Sequence, residues 1–571
     1  MGSLHPVLPM LIGSLLLPFL GHRLRGVVLV AAPIVGLVNL LGLELGRTME
    51  LPFAGYDLDV LRYDALARLF GILFHIAALV GAVYALHVKD RLQHLTGLAY
   101  AASAVGAVMA GDLFTLFLFW ELLAVTSVFQ VWAPGTAEAR RAGGRYLLAH
   151  ISSGLLLLFG AALLYTDTGS FAFGAMELDS MATWLIFLAF GIKVGFPIFH
   201  HWIVDAYPTS TAAGTLFLSA FTTKTAVYCF ARGFRGEETL VYVGAVMCLF
   251  PIFYAVIEND LRRVLSYSMV NQIGFMVVGI GLGTDLAFNG AVAHAFADVI
   301  FKGLLFMSMG AVYHRLGTTK GTELGGLYKS MPQTMGLCLV GAASISAIPG
   351  FSAFVTKSMI MVAAAELDMT WLWMILLFAS AGVLEHAGIK IPYFAFFAHD
   401  SGKRPKEAPL NMRVAMAISA VLCLVIGCFY KPFYELLPTM PTLADGVSPY
   451  KPYTFTHVVT QVQLLVFAAA AVFGMMLMKK YPAEIPSVNV DADVIWRKGI
   501  RGLWTKLLGP LFQKASDAEE RFLAWVPRQA VVVFGQRIPR MALFQEWAAG
   551  SIVALVNLLL AAYLALQFLA A

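Results

Sequence analysis

Apolar stretches of about 20 residues recur from one end of this 571-residue sequence to the other, and each is long enough to cross the ~30 Å hydrocarbon core of a bilayer as an α-helix. One of them, GDLFTLFLFWELLAVTSVFQVW, covers residues 111–132. Only 13% of the residues are charged, whereas a soluble protein carries roughly 25%. The sequence therefore predicts an all-α polytopic membrane protein.

About sixteen membrane-spanning helices are expected. The candidate spans are residues 4–21, 26–46, 66–88, 95–111, 112–133, 146–165, 182–202, 211–233, 239–257, 264–284, 287–313, 333–363, 370–397, 411–430, 456–479 and 548–570. Lys and Arg concentrate in the loops after odd-numbered spans, as at Arg140, Arg141 and Arg145. Since cytoplasmic loops carry an excess of these residues, we expect both termini on the non-cytoplasmic side of a bacterial inner membrane.

Several other classes of function find no support in the sequence. The net charge of +5 is small for this length and does not suggest a nucleic-acid partner. The five cysteines lie in apolar runs without CxxC spacing, which favours small buried hydrophobes over disulfides or metal ligands. No phosphate-binding, dinucleotide or haem-attachment motif is present. We therefore expect no cofactor and no resident metal.

Two predicted spans are interrupted by glycine and proline. The seventh contains FLAFGIKVGFPIFHHWI (187–203), and the twelfth contains SISAIPGFSAFVTKSMI (344–360). Paired broken helices in two inverted halves of a chain indicate a transport site, and spans five apart fit an inverted five-helix repeat. Gly and Pro are also common in membrane helices, which is the simpler explanation. A lysine beside each break, Lys193 or Lys357, favours the repeat.

The chain divides into six predicted regions. They are 1–94 with helices 1–3, 95–235 as the first inverted repeat (helices 4–8), 236–400 as the second (helices 9–13), 401–480 with helices 14–15, 481–547 as an amphipathic interfacial segment, and 548–571 as a final transmembrane helix. From Asp491 to Trp547, Lys and Arg mix with Trp, Leu and Phe at helical spacing, as in a helix lying along the membrane surface. A short soluble tail folded on itself is the alternative.

Charged and titratable residues recur inside the predicted spans, where a charge near the bilayer centre costs at least ~2.5–3.5 kcal/mol and indicates function. The candidate site residues are Glu121, Lys193, Lys224, His294, Asp298, Lys302 and Lys357, with Glu385, His386 and Lys390 as possible additions. Helix packing or snorkelling would explain one such residue, but packing does not require repeated lysines. Lysine and histidine can both release and regain protons in suitable surroundings. The series predicts a path for protons.

Two local pairings are expected within this series. In AFADVIFKGLLFMSMG (295–310), Asp298 and Lys302 are four residues apart, and His294 precedes Asp298 by four. Residues at that spacing share a helix face, so we expect Asp298 to act between His294 and Lys302 as the middle of a relay. We also expect Glu121 and Lys193 to approach within salt-bridge range, because either charge alone in hydrocarbon would be costly.

The next histidines along the chain have a different expected role. His200 and His201 are adjacent rather than four apart, which makes a poor metal pair and suggests a helix end. Asp205 and Pro208, in HHWIVDAYP, are expected in a loop at the membrane edge.

Five motifs follow one another along the chain: GDLFTLFLFWELL, IKVGFPIFHHWIVDAYP, ENDLRRVLSYSMVNQIGF, AHAFADVIFKGLLF and IPGFSAFVTKS. In this order they resemble landmarks of the proton-translocating antiporter-like family, which includes the large subunits of Mrp-type sodium/proton antiporters and the antiporter-like membrane subunits of respiratory complex I. The resemblance covers residues 60–400. The first motif is similar to that of the D-type large subunit of Mrp antiporters, whereas the amphipathic segment and final helix are similar to the lateral-helix extension of the distal complex I subunit.

The resemblance implies a fourteen-helix core of two inverted five-helix repeats with broken seventh and twelfth helices. It also implies that Glu121 pairs with Lys193, that Lys224 is the connecting lysine of the eighth helix, and that Lys357 is the terminal lysine of the twelfth. His294 and Lys302 match the family's eleventh helix, while Asp298 stands where some relatives have a second histidine. Glu385, His386 and Lys390 match no family motif, so their role rests on buried charge alone.

Three functions follow as expectations. The first is a proton-translocating subunit of a multi-subunit monovalent cation/proton antiporter, a transporter without redox chemistry of its own. The second is a proton-pumping module of a complex I-like or membrane hydrogenase assembly. The third, a non-transporting scaffold, does not account for the charge series. In the first two the partners are other membrane subunits, the lipid bilayer, protons and Na⁺ or K⁺, and the neighbouring genes would separate them.

Overall fold

The fold is described from a computed structural model, which covers residues 4–53, 55–439 and 450–482 together with Ile485, Asn489, Asp491, Ala492, Val494, Ile495 and Gly502. The chain divides into two compact units at residues 489 and 490, and the candidate site residues all lie in the first. The expected interfacial segment 491–547 lies outside the described residues except at five positions, and the expected final span 548–570 lies wholly outside them.

Helices make up most of the described chain. The first ten are α1 (Leu8–Leu16), α2 (His22–Leu41), α3 (Ala65–Ala85), α4 (Arg91–Met109), α5 (Leu113–Trp132), α6 (Ala137–Thr168), α7 (Met181–Val194), α8 (His201–Thr209), α9 (Ala212–Ala220) and α10 (Thr222–Gly233). The others are α11 (Glu238–Ile257), α12 (Leu261–Leu282), α13 (Asp285–Leu316), α14 (Pro332–Ile345), α15 (Ser352–Glu366), α16 (Thr370–Val383), α17 (Lys390–Pro392), α18 (Leu410–Cys428), α19 (Tyr430–Tyr434) and α20 (Phe455–Leu477).

Each of the first fifteen predicted spans falls on one of these helices or on a consecutive group of them. Within the described residues, ten helical segments are long and apolar enough to cross a membrane. The α12 and α13 segments are the most enclosed, since their apolar windows are wholly buried, whereas that of α20 is only 11% buried. The protein is therefore a multi-pass helical membrane protein in which α12 and α13 occupy the centre.

Both expected helix breaks are present. Helix α7 ends at Val194, and the backbone passes through Gly195 (φ +87°) and Ile198 (φ +76°) before α8 begins. Between α14 and α15, the chain passes through Ala347 (φ +56°) and Gly350 (φ +95°). Glycine takes a positive φ without steric penalty at a helix end, but a β-branched residue such as Ile198 does so only under strain. Such strained positions cluster at functional sites.

A β-hairpin between α2 and α3 adds to the expected all-helical fold. Strand β1 (Arg47–Phe53) pairs antiparallel with β2 (Tyr56–Tyr63), in a register that places Phe53 opposite Tyr56. Leu58, Leu61 and Tyr63 of β2 are buried, while β1 is mostly exposed. The hairpin therefore covers one end of the helical bundle.

Candidate functional site

The central charge pair of the protein joins two different helices. The Lys224 Nζ of α10 lies 2.6 Å from the Asp298 Oδ2 of α13, and neither side chain is exposed. The same ammonium lies 3.5 Å from the Ser219 carbonyl oxygen and 3.4 Å from the Met269 sulfur. Asp298 thus forms its ion pair with Lys224 of another helix, and its charge also acts on Lys302; the expected relay from His294 through Asp298 to Lys302 stays a prediction.

Lys302 and His294 face polar side chains of the neighbouring helices. The Lys302 Nζ donates to the Ser268 Oγ of α12 at 2.6 Å. The two ring nitrogens of His294 lie 3.0 Å from the Gln272 Oε1 and 3.0 Å from the Thr356 Oγ1, so this imidazole bridges α12 and α15. Both His294 and Lys302 are completely buried.

Lys357 completes the central group from α15. It is 2% exposed, and its Nζ lies 4.7 Å from the centre of the Phe275 ring, as in a cation–π contact. Its Nζ has no hydrogen-bond partner among the described residues. The charges of Lys357, Lys224 and Lys302 all act on His294, which places the imidazole among the three lysines.

Lys193 sits beside the first helix break, at the end of α7. Its ammonium donates to the Trp120 carbonyl oxygen of α5 at 2.5 Å and lies 4.0 Å from the centre of the Trp120 ring. The Trp120 ring is itself fixed, because its Nε1 donates to the Ser153 Oγ at 3.0 Å, and that hydroxyl donates to the Ala189 carbonyl.

Glu121 lies next to this lysine without touching it. No ion pair within 4.0 Å joins Glu121 to Lys193 among the described residues, so the expected direct salt bridge is wrong. The Glu121 carboxylate is nevertheless the main charge acting on Lys193. Glu121 is partly exposed at the surface of the chain, and a methyl group on Gly154 of α6 would clash with its Oε1. The glycine therefore makes room for the carboxylate.

The three additional candidates lie where α16 changes its helical geometry. Residues Leu384–Ile389 and Tyr393–Phe397 are π-helical, a rare geometry that occurs frequently at functional sites. Pro392 contributes to this change because it lacks the N–H that an α-helix would direct at the carbonyl of residue 388. His386 is fully buried, and Glu385 accepts a hydrogen bond from the Tyr481 hydroxyl at 2.5 Å.

Lys390 has a different role from the other lysines. Its Nζ donates to the carbonyl oxygens of Ala255 (3.2 Å), Val256 (2.6 Å) and Glu258 (2.7 Å). These carbonyls belong to the C-terminal end of α11, where the last backbone acceptors have no partner within the helix. Lys390 thus caps α11, and the geometry favours a structural role for it over a place in the charge series.

Several polar residues that contact the charge series were missed in the sequence. Ser268, Gln272 and Thr356 contact Lys302 or His294, and their signal is only that they are polar residues inside apolar spans. Asp205 is also placed differently from the expectation: residues 201–209 form α8 rather than a loop, and the Asp205 Oδ2 lies 2.6 Å from the Arg145 guanidinium.

The arrangement as a whole places proton-carrying groups on four helices in the middle of the protein. Lys193, Lys224, Asp298, His294, Lys302 and Lys357 are all buried. Among the described residues, no group of three or more His, Cys, Asp or Glu side chains is arranged to hold a metal ion. Lysine, imidazole and carboxylate can each gain or lose a proton without a cofactor, so the chemistry that these groups share is proton transfer.

The chain is similar to known membrane proteins. Residues 110–382 match the family described as "NADH:quinone oxidoreductase/Mrp antiporter, TM". The chain is 26% identical over 472 residues to the D-type subunit of the Na(+)/H(+) antiporter of Alkalihalophilus pseudofirmus, covering 75% of this chain and 94% of the relative. It is 25% identical over 434 residues to the "Hydrogenase-4 component B" of Escherichia coli, covering 68% of this chain and 64% of the relative.

A solved structure with a similar fold covers nearly the whole chain. A protein in the "Structure of the membrane-bound sulfane sulfur reductase (MBS), an archaeal respiratory membrane complex" superposes with a TM-score of 0.72, covering 98% of this chain and all of that one. The sequence identity is 22%, so the likeness concerns the fold alone.

Proposed function

We propose that this chain, whose residues 110–382 match the family described as "NADH:quinone oxidoreductase/Mrp antiporter, TM", is the proton-translocating subunit of a multi-subunit monovalent cation/proton antiporter. Its role resembles that of the D-type large subunit of Mrp antiporters. Protons would move along a buried relay of Glu121, Lys193, Lys224, Asp298, His294, Lys302 and Lys357, and the exchanged cation would be Na⁺ or K⁺.

One observation carries this proposal: the buried Lys224–Asp298 pair, with three further titratable groups around it. An ion pair at 2.6 Å keeps both partners charged inside the protein. If the two separate, each charge is left in an apolar surrounding, and Lys224 then releases its proton to a neighbouring acceptor. The charge of Lys302 also acts on Lys224 and Asp298. A proton that arrives at Lys302 therefore changes the electrostatic attraction within the Lys224–Asp298 pair.

Glu121 is proposed to control the first step of the relay through Lys193. Its carboxylate favours the protonated lysine without direct contact. Because Glu121 reaches the surface of the chain, a neighbouring membrane subunit can alter its charge or its position. We infer that other membrane subunits of the complex act on the relay from that side.

The two broken helices are proposed to be equivalent parts of two inverted repeats, 95–235 and 236–400. The breaks after α7 and α14 support this, since each lies within one or two turns of a relay lysine, Lys193 or Lys357. The distribution of Lys and Arg supports a bacterial inner-membrane location with both termini on the non-cytoplasmic side.

A second candidate is a proton-pumping subunit of a complex I-like or membrane hydrogenase assembly. The match to hydrogenase-4 component B favours it, although the match to the antiporter relative covers more of that protein, 94% against 64%. Both functions use the same relay. Neighbouring genes for small hydrophobic antiporter subunits would favour the first, and genes for iron–sulfur or hydrogenase subunits would favour the second.

The test is transport by the assembled complex in everted membrane vesicles from cells that lack their own antiporters. After respiration acidifies the vesicle interior, addition of Na⁺ or K⁺ should raise the interior pH, as reported by a fluorescent amine. Lys302→Ala should abolish this response, whereas Lys406→Ala, an exposed lysine of the 398–409 loop, should not. If vesicles with Lys302→Ala show the same pH response to Na⁺ or K⁺ as wild-type vesicles, the proposal is contradicted.

A further inference from the structure

Helices α4, α5, α6 and α10 bring buried hydroxyl groups together. The Tyr146 hydroxyl of α6 lies 2.7 Å from the Ser127 Oγ of α5. The Tyr100 hydroxyl of α4 lies 2.5 Å from the Thr222 Oγ1 of α10 and also accepts from the Thr222 backbone N–H at 3.0 Å. All four side chains are at most 1% exposed.

The two tyrosines also interact with each other. The hydroxyls of Tyr100 and Tyr146 lie near enough to influence each other electrostatically. The hydroxyls of Tyr146, Tyr100 and Thr222 therefore belong to one buried cluster, and Thr222 lies two residues before Lys224 on α10. A purely structural buried hydroxyl needs one acceptor, and the Ser127 Oγ already has the Leu123 carbonyl at 2.6 Å. Hydroxyl groups gathered from four helices are more than structural hydrogen bonding requires.

A buried histidine extends the chain toward Lys193. The His150 ring lies between Tyr146, whose ring centre is 4.1 Å away, and Trp202, whose ring centre is 4.4 Å away. It is completely buried, and neither ring nitrogen has a hydrogen-bond partner among the described residues. Lys193 is the charged group that acts on it. The Trp202 Nε1 donates to the Ile192 carbonyl, next to Lys193, at 2.9 Å.

A buried imidazole without hydrogen-bond partners lowers the stability of the fold. Leaving a polar group buried and unsatisfied costs roughly 1–3 kcal/mol, and such a group calls for an explanation. A water molecule can bridge a ring nitrogen and a lysine, because it both donates and accepts hydrogen bonds.

We propose that His150, Tyr146, Tyr100 and Thr222 form a hydroxyl relay that carries protons between Lys193 and Lys224. The inference rests on the proposed function and assigns side chains to the proton-transfer step between these two lysines. Lys193 releases one proton, through water, to a ring nitrogen of His150, and the other ring nitrogen releases one toward Tyr146. Each hydroxyl accepts one proton and donates its own, and Lys224 gains one after it has separated from Asp298 and released its own proton. No hydroxyl changes its net protonation.

The experiment removes one hydroxyl at a time and measures transport by the assembled complex in everted vesicles. Tyr100→Phe and Tyr146→Phe should each slow cation-dependent proton movement by about tenfold or more, because a positioned proton-transfer group contributes that much or more. The matched control is Tyr84→Phe. Tyr84 is equally buried, and its hydroxyl donates to the Met307 carbonyl at 2.9 Å, so its loss should leave transport at the wild-type rate.

Thr222 supplies a second test that does not depend on the tyrosines. Thr222→Ser keeps the hydroxyl and should transport like the wild type, whereas Thr222→Val keeps the shape and should be slowed like Tyr100→Phe. The solvent deuterium isotope effect should rise in the slowed variants, because proton transfer then limits the rate, and a purely structural role would not change it.

The outcomes separate the relay from the proposed function. If Lys224→Ala is inactive while the Tyr100, Tyr146 and Thr222→Val variants match the wild type, the relay is overturned and the proposed function stands. If Lys224→Ala transports like the wild type, the proposed function fails and the relay fails with it. If the variants lose thermal stability but keep transport per folded molecule, the hydroxyls are structural and the relay is overturned.

Discussion

Lys224 of α10 and Asp298 of α13 form an ion pair of 2.6 Å from which the surrounding helices exclude all solvent contact. Taking two charges out of water is unfavourable, and their mutual attraction offsets this only when both remain in place. The pair therefore links the stability of the bundle centre to the same charges that the proton path uses.

Removing one member of this pair should be more harmful than removing both. Lys224→Met leaves Asp298 buried without its partner and should lower the free energy of unfolding by about 3–5 kcal/mol. The double variant Lys224→Met, Asp298→Leu should recover much of that loss, since no charge is left unpaired. Thermal unfolding of the purified complex in detergent measures both. Losses that simply add would contradict the coupling.

Gly154 should be essential for the position of Glu121 although it has no chemistry of its own. In Gly154→Ala the new methyl group would clash with the Glu121 Oε1, so the carboxylate must move relative to Lys193. We expect a slower cation-dependent response in vesicles with little change in protein amount. Gly144→Ala is the matched control. Gly144 lies on the same helix α6, and a methyl group there would meet no neighbouring group within 4 Å. Equal transport by the two variants would show that the position of Glu121 does not matter.

Lys390 should affect stability rather than transport. Lys390→Met leaves three carbonyls at the end of α11 without their donor, and hydrogen bonds to charged groups contribute roughly 1.5–3 kcal/mol each. The variant should unfold at a lower temperature and still transport normally per folded molecule. The exposed Lys406→Met serves as the control for loss of charge. Normal stability with lost transport would instead place Lys390 in the proton path.

Acid should destabilise the protein through His87, which lies in the turn between α3 and α4. Burial, and secondarily the nearby His314, lowers the pKa of His87 from 6.5 to about 4. The His314 ring centre is 4.8 Å away, and Arg315 adds further positive charge. A histidine with a lowered folded-state pKa contributes stability that is present above pH 6.5 and is lost as the pH falls toward 4.

His87→Gln tests this because glutamine does not titrate. Its unfolding temperature should fall less than that of the wild type between pH 6.5 and 4, and His399→Gln, at an exposed position, should behave like the wild type. Identical pH profiles for wild type and His87→Gln would show that His87 does not contribute to the acid sensitivity.

The helices and their breaks could be predicted from the sequence because both depend on local chemistry. Apolar length determines a span, and Gly195 and Gly350 mark backbone positions that other residues rarely adopt. The hairpin 47–63 was not predicted, because its strands are short and lie between strong helical signals. The sequence of β2 does place the buried Leu58 and Leu61 beside the exposed Asp57, but a segment this short gives a weak strand pattern.

The pairings were harder to predict because they depend on which helices pack together. The spacing of Asp298 and Lys302 correctly places them on one helix, but it contains no information on α10, which brings Lys224 to within 2.6 Å of the aspartate. In the same way, the Trp120 carbonyl oxygen accepts the hydrogen bond of the Lys193 ammonium, which was expected to pair with Glu121. A backbone acceptor has no signature in the sequence.

The most direct test of the central claim is proton movement by the assembled complex with Asp298→Asn, measured in everted vesicles between about pH 6 and 9, roughly the range between the histidine and lysine pKa values. Asparagine keeps the shape of the side chain and removes its charge. Ser308→Ala, on the same helix α13 and equally buried, is the control. We predict that Asp298→Asn slows proton movement per folded complex by about a hundredfold, while Ser308→Ala does not slow it. Transport by Asp298→Asn at the wild-type rate across that range would contradict the claim that the buried Lys224–Asp298 pair is part of the proton path.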